Sequence, residues 1–146
     1  MKLSVLGSGS TGNAILIVAG NTRVLVDAGL SAKEITRRLS LMGEDVQQLD
    51  GILITHEHGD HAGGLRVLLG TVDCPVYISA QTHDAYVSER FNVANDEPKR
   101  RSKALSDRVE PIESSRDFRI GEIDFIPSLF PTTLSTTLVL PPPTTA

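Results

Sequence analysis

Three of the four histidines of this 146-residue chain lie within six consecutive positions, in the segment HEHGDH (56–61). His56, His58 and His61 share this segment with one aspartate, Asp60. Imidazole and carboxylate are donors that suit Zn²⁺, and they also bind Mn²⁺ and Fe. The H-x-H-x-D-H spacing therefore predicts a metal site, and the alternative interpretation is a surface cluster of histidines that holds no metal.

The residues before this segment indicate how it is positioned. The run LDGILIT (49–55) is short and apolar, and predicts a buried strand that ends just before the first histidine. In an extended chain His56 and His58 point to the same side, whereas Asp60 and His61 follow a turn. One tetrahedral ion enclosed by all four side chains would strain so short a loop. Two divalent ions with two ligands each, the other ligands coming from elsewhere, fit better.

A second motif competes with this interpretation. The segment GSGSTG (7–12) matches G-x-G-x-x-G, follows an apolar run, and has Asp27 twenty positions after its first glycine. This is the outline of a dinucleotide-binding fingerprint, which requires a helix directly after the last glycine. The residues that follow (14–20, AILIVAG) are apolar without helical periodicity and predict a strand, so a glycine-rich turn is the preferred interpretation.

The order of predicted elements favours an α/β layered domain. A Gly-Asn pair between two apolar runs predicts a β-hairpin, and Ser31 with Glu34 forms a capping box at the start of a helix. Later apolar runs alternate with helical patterns. The predicted strands are 3–7, 14–20, 22–29, 49–55, 75–79, 109–113, 117–121 and 122–127, and the predicted helices are 31–43, 61–70 and 81–91.

The composition gives no sign of a strongly basic, disulfide-bonded or membrane-spanning protein. The net charge is −4, and the one basic cluster (Lys99, Arg100, Arg101 and Lys103) is interpreted as a solvated loop. The single cysteine, Cys74, cannot form an internal disulfide and is typical of a reducing compartment. No run is long and apolar enough for a membrane span or a signal peptide. We therefore expect a cytoplasmic protein without membrane attachment.

At these motifs the sequence resembles the metallo-β-lactamase-fold hydrolases, whose signature T-H-x-H-x-D-H stands here as THEHGDH (55–61). Three stretches resemble the YycJ/WalJ-like bacterial branch of that family: SVLGSGSTGNA (4–14), LVDAGLSAKEITRRL (25–39) and ILITHEHGDHAGGL (52–65). The likeness runs from about residue 3 to residue 126. It implies the N-terminal half of an αβ/βα sandwich, in which two sheets face each other and metal lies at one edge.

The resemblance also implies roles for the clustered side chains. His56 and His58 would hold a first divalent ion, most simply Zn²⁺ with Mn²⁺ or Fe as alternatives. Asp60 and His61 would hold a second ion, with Asp60 also a catalytic proton acceptor. Asp27, at a strand end, would orient the site from behind, and its alternative role is that of a turn residue.

The implied activity is hydrolysis by a metal-activated water. Ser10, Thr11 and Asn13 would lie in a substrate loop beside the ions. In this branch the substrates are phosphodiesters, including DNA ends, so the resemblance implies DNA as a substrate, and it leaves protein partners open. The alternative on the same fold is a thioester or lactone hydrolase, which differs in the later half of the domain.

The chain departs from the family pattern after residue 126. The family's later ligands, two histidines and a bridging aspartate, are missing, and the only other histidine is His83 in QTHDAY, where neither His83 nor Asp84 is expected to bind metal. Residues 127–146 form a compositionally aberrant tail, rich in Pro and Thr, that a shifted reading frame could convert into Pro-His-Asp. We therefore expect an N-terminal domain part (1–126) with impaired activity, or a non-catalytic fragment.

Overall fold

A computed structural model describes residues 1–91, 105–128 and 135–139 of the chain. Nine strands and four helices account for most of these residues, together with a short 3₁₀ turn, Val46–Gln48. In chain order the elements are β1 (Lys2–Gly7), β2 (Ala14–Ala19), β3 (Thr22–Val26), α1 (Ala32–Leu41), β4 (Gly51–Ile54), α2 (Gly59–Ala62), α3 (Leu65–Leu68), β5 (Val76–Ser79), α4 (Ala80–Phe91), β6 (Val109–Ile112), β7 (Phe118–Ile120), β8 (Ile123–Ser128) and β9 (Ser135–Val139).

Strands β1 to β6 form one sheet in which the spatial order follows the chain order. The first three strands are antiparallel, and the β2–β3 hairpin turns at Gly20, whose φ of 56° suits glycine. Strands β3 to β6 are parallel, because a helical connection carries the chain back across the sheet after β3, β4 and β5. The predicted α/β class is therefore confirmed.

The central strands of the six-stranded sheet are buried on both faces, whereas Leu3 and Val5 of the edge strand β1 are exposed. One face packs under the helices in a core that includes Leu16, Leu25 and Ile54 with Ile35 and Leu39 of α1. The opposite face packs against the antiparallel sheet β7–β8–β9. That second core contains Ile17, Val24, Leu53, Ile112, Ile120, Ile123 and Phe125. Helices, sheet and second sheet thus form three layers, and β4 is buried along its whole length because it lies between two of them.

Helix α1 begins and ends as its sequence predicts. The amide of Glu34 donates to the Ser31 hydroxyl at 3.2 Å, which satisfies a free donor of the first turn. The Glu34 side chain, however, pairs with Arg37 and Arg38 and not with the amide of Ser31, so only half of the capping box forms. Gly43, with a φ of 75°, follows the helix end.

The single helix predicted over residues 61–70 is wrong. Two four-residue helices, α2 and α3, stand there instead, separated by Gly63 and Gly64. The amide of Gly64 donates to the carbonyl of Ala28 at 2.7 Å, and a Cβ at Gly64 would lie 1.9 Å from the carbonyl oxygen of Leu30. The glycine pair therefore brings this segment against the chain that leaves β3, and that close contact interrupts the helix.

The dinucleotide-binding alternative is also excluded, because residues 14–19 are strand β2 and not a helix. Pyrophosphate recognition by this motif depends on a helix N-terminus directly after the last glycine. The preferred interpretation, a glycine-rich turn between strands, is confirmed for residues 8–13.

The tail contains one strand that its composition did not indicate. Ser135–Val139 pairs antiparallel with β8, with Phe125 opposite Leu138. The rest of the tail beyond Ser128 and the basic cluster at 99–103 lie outside the described residues, so the boundary at residue 126 and the frame shift stay predictions. Within the described ranges no helix has the length and apolarity needed to cross a membrane.

Candidate metal centre

Strands β1, β3 and β4 run in the same direction, which brings the three loops that follow them to one edge of the six-stranded sheet. Asp27 follows the end of β3, and Thr55 follows the end of the neighbouring parallel strand β4. The segment after Thr55, residues 56–61, is called the histidine loop below. The segment 7–13, which leaves β1 at the same edge, is called the glycine-rich loop.

Asp27 lies at the centre of the hydrogen bonds behind the histidine loop. It is 6% exposed, and its Oδ1 accepts from the Thr55 amide at 2.8 Å and lies 2.9 Å from the Thr55 hydroxyl. Its Oδ2 lies 2.7 Å from the Thr55 hydroxyl and 2.7 Å from Nδ1 of His61. A φ of 62° holds Asp27 in the left-handed region, a conformation that costs on the order of 1–3 kcal/mol and is found most often at functional sites.

Asp60 and His61 lie close enough to share an ion. Nε2 of His61 is 3.5 Å from Oδ2 of Asp60. Two ligand atoms on a tetrahedral Zn²⁺, each about 2.0–2.1 Å from the ion, lie about 3.3 Å apart. Because Nδ1 of His61 faces Asp27, its Nε2 is the nitrogen left for an ion, and the carboxylate–imidazole arrangement is one that metal sites commonly use. This pair fits a divalent cation.

The side chains of the other pair, His56 and His58, lie too far apart to share an ion as they stand. The rings of His56 and His58 are nearly parallel, with centroids 6.4 Å apart, whereas two imidazoles on one tetrahedral ion have centroids about 5 Å apart. His58 has a side chain 66% exposed, and its Nε2 lies 3.7 Å from Glu57. A shared ion therefore requires His58 to turn toward His56. The ring of His56 is closer to that of His61, at 4.6 Å.

The structure brings His56, His58, Asp60 and His61 to one edge, but not into a closed cage. Among the described residues, no group of three or more His, Cys, Asp or Glu side chains is arranged to hold one metal ion. His83 is in the first turn of α4, outside the histidine loop, and its Nδ1 lies 3.5 Å from Asp84.

The glycine-rich loop reaches the same site through Asn13. The Asn13 side-chain nitrogen donates to the carbonyl of Gly9 at 2.9 Å and to the carbonyl of Asp60 at 3.1 Å, and lies 3.4 Å from Oδ2 of Asp60. Its side-chain oxygen accepts from the Gly9 amide at 3.0 Å. Ser10 and Thr11, in contrast, are exposed at the turn of the loop.

Gly29 permits the close contact between these two loops. A Cβ at this position would lie 1.8 Å from the carbonyl oxygen of Asp60 and 2.7 Å from the amide nitrogen of Asn13. The Asn13 amide donates to the Asp60 carbonyl at 2.7 Å, and the Gly29 amide donates to the Asn13 carbonyl at 2.9 Å. No side chain larger than hydrogen fits here without moving backbone.

Two of the residues that organise this site were not singled out from the sequence. Thr55 enters the sequence analysis only as the end of a strand and the first residue of the T-H-x-H-x-D-H signature, and neither Thr55 nor Gly29 is given a role there. For Thr55 a signal was available, because it directly precedes the first histidine and follows a strand next to that of Asp27. For Gly29 no local pattern could predict that its neighbour in space is Asp60.

The model of the metallo-beta-lactamase superfamily matches residues 7–144. The chain therefore belongs to the metallo-beta-lactamase superfamily. The match covers the glycine-rich loop, Asp27 and the histidine loop.

Among curated relatives, the chain is 40% identical over 90 residues to the exodeoxyribonuclease WalJ of Streptococcus pneumoniae serotype 2 (strain D39 / NCTC 7466). It is 39% identical over 97 residues to the exodeoxyribonuclease YycJ of Bacillus anthracis. These matches take up 62% and 66% of this chain but only 34% and 37% of the relatives. The chain thus spans about a third of the length of the curated relatives it matches.

The fold is also similar to solved structures. A B3 metallo-beta-lactamase with an active-site glutamic acid matches with a TM-score of 0.65 and 25% identity, over 85% of this chain and 47% of that one. The Rm3 metallo-beta-lactamase matches with a TM-score of 0.67 and 21% identity, over 85% and 47%. The predicted fold family is therefore confirmed over most of the chain.

Proposed function

We propose that the protein is a metal-dependent hydrolase that cleaves phosphodiester bonds at the ends of DNA. One observation carries the proposal: Asp27 is buried behind the histidine loop and bonded to His61, whose other nitrogen faces Asp60. A carboxylate that holds an imidazole in this way is typical of metal-binding histidines. The relatives named as exodeoxyribonucleases support DNA as the substrate.

The chain's own residues supply binding, orientation and a proton acceptor. His56 and His58 form one pair of ligands, and Asp60 and His61 form the other, with Asp27 holding the second pair from behind. When bound, divalent ions make water a better nucleophile and neutralise negative charge on a phosphoryl group. Asp60, which is partly exposed beside His61, is positioned to accept a proton from the attacking water.

The same geometry leads us to expect weak metal binding by this chain. The described side chains offer pairs of ligands and no group of three. Structural and catalytic zinc sites ordinarily take three or four ligands from protein, so two ligands for each ion predict weak binding. We expect the 146-residue chain to bind Zn²⁺ weakly and to hydrolyse phosphodiesters slowly.

The test combines metal content with activity. The chain is freed of metal with a chelator, reloaded with Zn²⁺ or Mn²⁺, and compared with His58→Ala and with the control His83→Ala, which removes an imidazole outside the histidine loop. We expect His58→Ala to lower Zn²⁺ affinity at least about tenfold, and His83→Ala to leave it unchanged. Equal metal affinity in all three proteins would falsify the metal assignment.

The substrate class is tested separately. Bis(p-nitrophenyl) phosphate reports phosphodiesterase activity, and linear DNA compared with closed circular DNA reports a requirement for ends. We expect hydrolysis of the ester and of linear DNA only, in each case lost in His58→Ala. Hydrolysis of a thioester or lactone without any phosphodiester cleavage would contradict the nuclease assignment and support the alternative class of substrate.

A further inference from the structure

The hydrogen bonds around Thr55 link two histidines of the proposed metal site to a single carboxylate. The Thr55 hydroxyl lies within 2.9 Å of three polar atoms: Oδ1 and Oδ2 of Asp27, and Nδ1 of His56. The second oxygen of Asp27 also contacts Nδ1 of His61 at 2.7 Å. His56 and His61 are therefore both connected to Asp27, one through Thr55 and the other directly.

The number of available protons determines which atom donates each hydrogen bond among Thr55, Asp27 and His56. An ionised carboxylate only accepts hydrogen bonds, and a hydroxyl has one proton to give. At 2.7 Å from Oδ2, the Thr55 oxygen must place its proton toward Asp27, because two oxygens this close without a proton between them repel. The Thr55 hydroxyl is then left with lone pairs only for its contact with His56.

From this accounting we infer that Thr55 is a positioning residue that fixes the tautomer of His56, an inference that rests on the proposed metal-dependent function. Nδ1 of His56 must carry the proton and donate to Thr55, so Nε2 of His56 has the free lone pair. The same argument gives Nδ1–H for His61, directly through Asp27. Both imidazoles are thereby prepared to bind a cation through Nε2 before any ion arrives.

His58 provides the contrast within the same loop. Its side chain is 66% exposed, and its Nε2 lies 3.7 Å from Oε1 of Glu57, too far for a hydrogen bond. Neither Asp27 nor Thr55 contacts it. Of the three loop histidines, His56 and His61 have a tautomer set by the protein, and His58 serves as the internal reference.

The position of Thr55 explains how one carboxylate serves two rings. Its amide donates to Oδ1 of Asp27 at 2.8 Å, so the Thr55 backbone is held against the same group that its hydroxyl contacts. Asp27 is in turn fixed by its own amide, which donates to the carbonyl of Leu53 at 2.8 Å. Thr55 and Asp27 are thus held against each other at the ends of two neighbouring parallel strands, so the Thr55 hydroxyl has little freedom to reorient.

The test determines the histidine tautomers in the metal-free chain and needs no measurement of enzymatic activity. The metal-free chain, labelled with ¹⁵N-histidine, is studied by long-range ¹H–¹⁵N correlation at about pH 8.5, above the usual range of histidine titration. In the unmodified chain we expect His56 and His61 to be protonated at Nδ1. In Thr55→Val, which keeps the shape but removes the hydroxyl, His56 should populate the Nε2–H form and His61 should not change.

Two further variants complete the design. Thr55→Ser restores the hydroxyl and should restore Nδ1–H on His56. Asp27→Asn keeps the side-chain shape and tolerates the left-handed backbone, but leaves a single acceptor oxygen, so at least one of the two rings should change tautomer. If Thr55→Val does not fold, the unmodified chain and these two variants still decide the matter.

Zn²⁺ alone then links the tautomer to metal affinity. By competition with a chromophoric chelator, we expect Thr55→Val to weaken Zn²⁺ binding by about 10–100-fold and Thr55→Ser by much less. An Nε2–H His56 in the unmodified chain, or a His56 unaffected by Thr55→Val, overturns the inference. If no protein in the set binds Zn²⁺, the proposed function fails for this chain while the tautomers still decide the inference on their own.

Discussion

The histidine loop and the glycine-rich loop leave the same edge of the same sheet, yet they use their polar groups differently. In the histidine loop, Asp27 and Thr55 engage Nδ1 of two rings and leave Nε2 of each available. In the glycine-rich loop, the polar groups of Asn13 are used up within the protein, on Gly9 and Asp60. One loop has rings held in place by buried partners, and the other is bonded to it through Asp60.

Each of the two loops also matches a sequence motif, although the sequence alone favours the metal motif over the dinucleotide fingerprint. Both follow a strand, and each matches a pattern known for binding a charged ligand. The difference lies in what must accompany the motif: a dinucleotide fingerprint needs a helix, whereas a metal loop needs a partner for each imidazole. A strand follows the glycine-rich loop, so the first requirement is not met, whereas His56 and His61 have such partners in Thr55 and Asp27. His58, exposed at the surface, is the one ring of the loop without such a partner among the described residues.

The largest expected effect comes from separating the two loops. Gly29→Ala would place a Cβ 1.8 Å from the carbonyl oxygen of Asp60 and 2.7 Å from the amide of Asn13. Because both neighbours are backbone, the clash must displace a loop, and we expect a loss of about 3 kcal/mol or more in the free energy of unfolding. Urea denaturation followed by circular dichroism measures this loss.

A matched glycine controls for the substitution itself. Gly70→Ala adds a methyl group 3.3 Å from the carbonyl oxygen of Val67, outside both loops, and should cost less than about 1 kcal/mol. Equal losses in the two variants would show that contact between the loops is not what makes Gly29 necessary.

Within the histidine loop, stability should distinguish the anchored ring from the exposed one. In the metal-free chain, His61→Ala removes a hydrogen-bond donor from the buried Asp27 carboxylate and should cost about 1–3 kcal/mol. His58→Ala, at a side chain 66% exposed, should stay within about 0.5 kcal/mol. Thermal unfolding in the presence of chelator measures both losses. A loss of stability in His58→Ala as large as that in His61→Ala would contradict the distinction between an anchored and an exposed ring.

Within the glycine-rich loop, a comparison of variants distinguishes a residue that stabilises the loop from residues that contact substrate. Asn13→Ala removes hydrogen bonds to Gly9 and Asp60, and should lower the free energy of unfolding by about 1–2 kcal/mol. Ser10→Ala and Thr11→Ala, at exposed positions, should stay within about 0.5 kcal/mol. If Ser10 or Thr11 contacts substrate, its variant raises KM without this loss of stability, and an unaffected KM removes it from the predicted substrate loop.

The elements of the fold could be predicted from sequence because their causes are local. The β2–β3 hairpin follows from a Gly-Asn turn between apolar runs, and α1 follows from Ser31 and the spacing of Ile35 and Leu39. Parallel neighbours also bring Asp27 behind the histidine loop by a simple rule, since strands β3 and β4 end at one edge.

The remainder depends on contacts between distant parts of the chain. The break between α2 and α3 follows from the close approach of Gly64 to Leu30 and Ala28, and residue 64 by itself gives no sign of that contact. The contact of Gly29 with Asp60 is of the same kind. The use of Asp27 by two histidines, His61 directly and His56 through Thr55, depends on the exact positions of side-chain atoms, which no periodicity encodes.

The smallest expected effect concerns the start of the glycine-rich loop and its dependence on pH. Hydrogen bonds from Arg37 and then Arg38 lower the pKa of Glu34 to about 2, from an ordinary value of 4.5. Arg38 also donates to the carbonyl of Leu6, just before this loop. Because the folded-state pKa is below the unfolded one, Glu34 adds stability that is complete above about pH 4.5 and is lost as the pH falls toward about 2.

Glu34→Gln removes this contribution and should make its pH dependence visible as a difference. We expect the unmodified chain to be slightly more stable than Glu34→Gln at neutral pH, with the gap closing between about pH 4.5 and pH 2. Lys33→Gln, an exposed change on the same helix, should show no such closing gap. Hydrogen exchange then locates the effect: amides of residues 7–13 should lose protection on protonation of Glu34 before those of 56–61, and simultaneous loss in both loops would mean that they are one cooperative unit.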